Sequence, residues 1–171
     1  VTQMLWVNLI MDTFAAMALA SLPPSQQVMN NPPRNRNAFI ITRNMWTRII
    51  ALGGIFFLSL LGFLYILEYS DITQMTDLLH FKLSNHKELT PYELSLFFTM
   101  FVMLQFWNMF NARAFATNQS AFHFKECRGF GFIALMILVG QILIVELGGQ
   151  MFNVTPLKLI DWAIIIVASS G

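Results

Sequence analysis

The run IIALGGIFFLSLLGFLYIL, residues 49–67, decides the fold class, because nineteen residues pass without one charged side chain. At about 1.5 Å per helical residue, roughly 20 apolar residues cross the ~30 Å hydrocarbon core of a bilayer. Four other stretches have the same character. Between Val1 and Pro33 the only ionisable residue is Asp12, residues 94–112 carry no charge, nor do residues 129–145, nor the ten residues 162–171. Together they predict membrane helices at about 1–21, 46–68, 92–112, 129–147 and 157–171, the last one short and expected to be truncated. Lipid admits only helices and closed barrels, because every backbone polar group must be satisfied internally. Barrel strands alternate polar and apolar residues, and these runs do not. The expected fold is an all-α membrane protein, a bundle of about five transmembrane helices, with residues 1–171 forming one transmembrane domain.

Composition agrees. Of 171 residues, 56% are hydrophobic and 11% charged, against about a quarter charged in an ordinary globular chain. A soluble domain of this size would expose large apolar patches, and disordered chains are poor in aromatics and rich in charge. A net charge of +1 gives no reason to expect a nucleic-acid partner. A single cysteine, Cys127, excludes an intrachain disulfide and a cysteine-based metal cluster. The chain has neither a signal peptide nor an initiator Met, which suggests a piece of a longer membrane protein.

Local signals punctuate the helices. Pro23-Pro24 ends the first, Gly148-Gly149 closes the fourth, and Thr155-Pro156 is expected to open the last. Thr90, Pro91 and Glu93 stand as N-cap, N1 and N3 of the third. Arg34, Arg36, Arg43, Arg48, Arg113, Lys125 and Arg128 gather on one side of the membrane, against Lys82, Lys87 and Lys158 on the other. By the positive-inside rule the first group is cytoplasmic and Val1 lies toward the outside. Residues 37–48 read as a helix along the inner interface, and the outer loop at about 69–91 has room for a short amphipathic helix. Alanines 15, 16, 18 and 20, and glycines 53, 54, 62, 129, 131 and 140, read as close-packing positions. Glu68, Glu146 and Asp161 fall near outer helix ends, where water is expected to solvate them.

The strongest site signal lies in the first helix, where Asn8 and Asp12 are four residues apart and so share a face. A carboxylate in the middle of a span costs about 2.5–3.5 kcal/mol on insertion scales, and such a residue marks an ion or proton site by default. The alternative is a polar pair that bridges helices with no ion. Both side chains offer hard oxygen donors suited to Ca²⁺, Mg²⁺, Na⁺ or a proton relay. Calcium takes about six to eight oxygens, so other groups must contribute. Gln105, followed by Asn108 and Asn111, is the further candidate in this chain, with helix bridging as its competing role. No phosphate loop, nucleophile elbow or His/Asp cluster is present in the sequence, so no chemistry is expected of this chain alone.

The stretch QMLWVNLIMDTFAAMALASLPP, residues 3–24, resembles the sixth membrane segment of P-type calcium pumps, most closely the plasma-membrane type and its bacterial relatives. VMLQFWNMFNAR, residues 102–113, resembles the eighth, and the five apolar runs follow the family order for segments six to ten. The resemblance implies that Asn8 and Asp12 are calcium ligands on the sixth segment. It also implies that Met11 and Gln105 stand where the two-calcium type has a Thr and a Glu ligand, which predicts one calcium per cycle. It further implies a plasma-membrane location, a bacterial inner membrane being the expectation. The partners implied are lipid, the upstream membrane helices and the cytoplasmic domains of the same parent chain, where ATP and Mg²⁺ act. Alone, the chain should bind calcium weakly and is open to a non-native dimer. Two rivals remain, a pump for another cation such as Mn²⁺ and a free-standing five-helix anchor.

Overall fold

The computed structural model describes residues 2–22, 41–70, 72, 76–77, 88–117 and 128–170. All their regular structure is helical. We label the helices α1 (Thr2–Ala20), α2 (Arg43–Tyr69), α3 (Pro91–Thr117), α4 (Arg128–Leu147), α5 (Gly149–Phe152) and α6 (Leu159–Ser169). Four of these, α1 to α4, are long and apolar enough to cross a membrane, and α6 is a shorter apolar helix. The five expected runs are therefore all helical. An integral membrane protein follows from these spans.

The centre of the bundle is α3, against which α1, α2, α4 and α6 all pack. Its sequence is apolar on every side, as a helix surrounded by others must be. Leu96, Val102 and Met103 are fully buried within it. By contrast α2 touches only the central helix strongly, and its Ile50, Ile55, Phe57 and Leu58 are exposed. Those side chains need lipid or other helices to cover them.

Helix starts are set locally. The Thr90 amide and hydroxyl both donate to the Glu93 carboxylate, at 2.8 and 2.9 Å, while the Glu93 amide donates to the Thr90 hydroxyl. This is the capping box expected from the sequence. The Thr42 hydroxyl caps α2 by accepting from the Met45 amide. The α2 helix therefore begins within the stretch expected to lie along the inner interface, and residues 43–48 belong to the span. Residues 37–40 and most of the loop at 69–91 lie outside the described residues, as do Pro23 and Pro24.

Several expectations are corrected. The last helix opens at Leu159 instead of after Thr155-Pro156, and the Lys158 amide donates to the Asp161 carboxylate across its first turn. Asp161 is not solvated: it is fully buried and accepts from the Tyr92 hydroxyl and from the Lys158 amide at 3.2 Å. Glu146 accepts from the Trp162 indole N–H at 3.1 Å. Arg113 lies within α3, buried, with its guanidinium 4.9 Å from the centre of the Phe130 ring. Cβ atoms placed at Gly53, Gly54 and Gly62 would meet nothing, so these glycines pack against nothing among the described residues.

Candidate functional site

The first helix is not uniform. Thr2–Leu5 is α-helical, Trp6–Met11 is a π-helix, and Asp12–Ala20 is α-helical again. The Asp12 amide donates to the Val7 carbonyl, a bond to the fifth residue back. Stretches of π-helix are rare and concentrate at functional sites. Both sequence-chosen residues fall here: Asn8 is inside the π-helix, and Asp12 is the first residue after it.

The change of hydrogen-bond pattern has a consequence for the backbone. After Asp12 reaches back to Val7, the α-pattern resumes, in which Thr13 pairs with Leu9. The step passes over the carbonyl of Asn8. On that pattern no helical amide reaches the Asn8 carbonyl, which is the type of donor that broken membrane helices present to cations.

Burial sorts the faces of α1. Val7, Met11 and Ala18 are buried against the bundle, Met11 with only 2% of its surface exposed. Asn8, Asp12 and Thr13 are exposed, on the side that faces away from α3 and α4. One stripe of α1 is thus packed within this chain, while Asn8 and Asp12 share the open side with the exposed Leu9 and Met17. Gln105 is half-buried on α3. It is not drawn into a cluster with Asn8 and Asp12 by any hydrogen bond among the described residues. No group of three His, Cys, Asp or Glu side chains able to hold a metal occurs among them either.

Three contacts anchor the N-terminal half of α1, and of their residues only Gly140 was read from the sequence as a close-packing position. The Gln3 side-chain amide donates to the Phe152 carbonyl at 2.8 Å. The Trp6 indole N–H donates to the Gln141 side-chain oxygen at 3.1 Å. The Trp6 ring fills the notch at Gly140, where a Cβ would stand 2.8 Å from it. A Gly-Gln pair inside an uncharged run was the available signal, but its partner lies 135 residues away in the chain.

An apolar cavity of about 300 Å³ lies between α1, α2 and α3, lined by Val7, Phe57, Leu60, Phe97, Phe98 and Phe101 among others. It offers no charged group and no oxygen cluster, so it is not an ion site.

The family described as "Cation transporting ATPase, C-terminus" matches residues 1–171. Among curated proteins, the chain is 35% identical to "Calcium-transporting ATPase PAT1" of Dictyostelium discoideum, over 98% of this chain and 15% of that protein. It is 38% identical to "Calcium-transporting ATPase 2" of Cryptococcus neoformans, over 96% of this chain and 11% of that protein. It is 36% identical to "Plasma membrane calcium-transporting ATPase 4" of Bos taurus, over 94% of this chain and 13% of that protein. The chain therefore spans about an eighth of the length of these relatives.

Proposed function

The chain belongs to the family of cation-transporting ATPase C-termini, and from that premise we propose that it is the C-terminal membrane part of an ATP-driven calcium pump in the plasma membrane. Asn8 and Asp12 are its calcium ligands. The observation that carries this reading is the π-helix, which holds both residues on the open face of α1 and leaves the Asn8 carbonyl without a helical amide. Asn8 contributes a side-chain and a backbone oxygen, and Asp12 a carboxylate. That falls short of the roughly six to eight oxygens calcium requires. The remaining ligands come from upstream helices of the same parent chain, which cover the open face. Lipid and those helices are the partners of this chain, and a dimer of the isolated chain would use the same uncovered face.

The chain supplies part of a single calcium site. Met11, whose thioether is a poor donor to a hard cation, is turned into the core, and Gln105 carries no charge. Aspartyl phosphorylation by ATP, with Mg²⁺, belongs to the parent's cytoplasmic domains, so this chain alone does not hydrolyse ATP. In the cycle, cytosolic calcium binds at Asn8 and Asp12, phosphorylation follows, and the helices shift to open the site outward.

The test is Asp12→Asn in the intact pump. Calcium-dependent phosphorylation by ATP should be abolished, because one anionic ligand is lost while shape is retained. Normal phosphoenzyme at micromolar calcium would overturn the assignment. Transport of two calcium ions per ATP would overturn the single site.

A further inference from the structure

An α-helix turns about 100° per residue, so positions five apart point roughly 140° away from each other. In a π-helix, bonded i to i+5 with about 4.4 residues per turn, such positions are only about 50° apart and can share one broad face. Trp6 and Met11 are five apart and bound the π-helix. Both face the bundle: Trp6 reaches Gln141 and Gly140 on α4, and Met11 is 2% exposed. A regular α-helix could not satisfy both contacts together.

The two ends are held differently. Met11 is retained by apolar burial, which is non-directional. Trp6 is retained by a directional bond to a fully buried amide and by a notch that only glycine leaves open. The Gln141 side-chain nitrogen finds no hydrogen-bond partner among the described residues. A buried amide satisfied at one end is costly in an apolar helix, so its oxygen's bond to Trp6 is the compensating contact.

We propose that Trp6, Gly140 and Gln141 are positioning residues of the ion site. Their clamp holds residues 6–11 of α1 in π register and so fixes Asn8 and its carbonyl relative to Asp12. None of the three touches the ion. Without the clamp, α1 relaxes toward a regular α-helix, the Asn8 carbonyl regains an amide partner, and Asn8 rotates relative to Asp12. This inference rests on the calcium-ligand reading given above.

The experiment uses the full-length pump that contains this chain, with Ca²⁺ as the probe. Trp6→Phe keeps an aromatic side chain but removes both the indole N–H and the outer ring edge that fills the Gly140 notch. Gln141→Leu removes the acceptor and leaves the core filled. Interhelical hydrogen bonds of this kind are worth about 0.6–1.7 kcal/mol, so each variant should raise half-saturating calcium roughly threefold to twentyfold. The maximal rate at saturating calcium should change by no more than about twofold, as expected when ligand affinity alone is weakened. The double variant should shift calcium no further than Trp6→Phe alone, since Gln141→Leu removes a contact that Trp6→Phe has already broken. Gly140→Ala, which pushes the Trp6 ring out of its notch, should shift it in the same direction and stands in if either other variant does not accumulate. The proposal is overturned if half-saturating calcium is unmoved in these variants, or if only the maximal rate falls. Asp12→Asn separates the two levels. If that variant still responds to calcium normally, the ligand reading itself fails; if it is dead while the clamp variants are normal, only the clamp fails.

Discussion

Tyr92 and Asp161 join two helices at one end of the bundle: the Tyr92 hydroxyl, at the start of α3, donates to the fully buried Asp161 carboxylate of α6, 69 residues further along the chain. The same carboxylate accepts from the Lys158 amide at 3.2 Å and so caps its own helix. One side chain thus sets where α6 begins and where it docks. Tyr92→Phe should lower stability by about 1–3 kcal/mol, because a buried acceptor loses a donor. The check is the thermal unfolding midpoint of the protein in detergent. An unchanged midpoint would show that the bond contributes nothing net.

A second tie joins the same two regions. The Ser95 hydroxyl, fully buried on α3, donates to the Pro91 carbonyl at 2.8 Å and accepts from the Thr155 amide at 2.8 Å. Ser95→Ala should cost about 1–3 kcal/mol, mostly because the Thr155 amide then loses its acceptor. Faster hydrogen exchange at Thr155, with the exchange of mid-α3 amides unaltered, would localise the effect. Equal acceleration throughout α3 would instead mean that the whole helix had been loosened.

What was legible in the sequence depended on the range of the cause. The run at 49–67 reads as a span because transfer into lipid depends on each residue's own polarity. Thr90 and Glu93 read as a cap because the bonds close within three residues. The Asn8–Asp12 pair was visible because helical spacing alone puts four-apart residues on one face. Asp161 was misread as solvated because Tyr92, which removes it from water, is remote in sequence. The π-helix was invisible for the same reason, since Trp6 and Met11 face the bundle together only when α4 is there to receive Trp6.

The turn between α4 and α5 depends on glycine. A Cβ on Gly148 would stand 2.2 Å from the Ile144 carbonyl oxygen and 3.0 Å from the Phe152 ring. The first is backbone and cannot swing aside, so the chain itself would have to move. Gly149 follows with a φ of 43°, a region that costs other residues about 1–2 kcal/mol. Gly148→Ala should therefore destabilise by at least ~1–3 kcal/mol, as overpacking does. It should also weaken the Gln3 contact to the Phe152 carbonyl, which this turn presents. A thermal midpoint equal to that of the unsubstituted protein would contradict the clash.

Met11 provides the sharpest test of how the first helix is oriented. Its side chain is one residue from Asp12 but points into the bundle, 2% exposed, with Val7 and Ala18 on the same face. Met11→Thr brings an oxygen to a position that resembles a ligand position of the two-calcium pumps. Here that oxygen would enter the apolar core in which Met11 is buried. Losing the buried thioether chain and burying a hydroxyl should cost about 2–4 kcal/mol together. On the single-site reading proposed above, the number of calcium ions moved per ATP in the intact pump should stay at one. A second site needs the charge that Gln105 does not carry as well as the oxygen, so only Met11→Thr combined with Gln105→Glu has the donors to build it. If Met11→Thr alone raised the stoichiometry to two, the core-facing orientation of Met11 would be wrong. If it left both stability and stoichiometry untouched, its burial would be wrong instead.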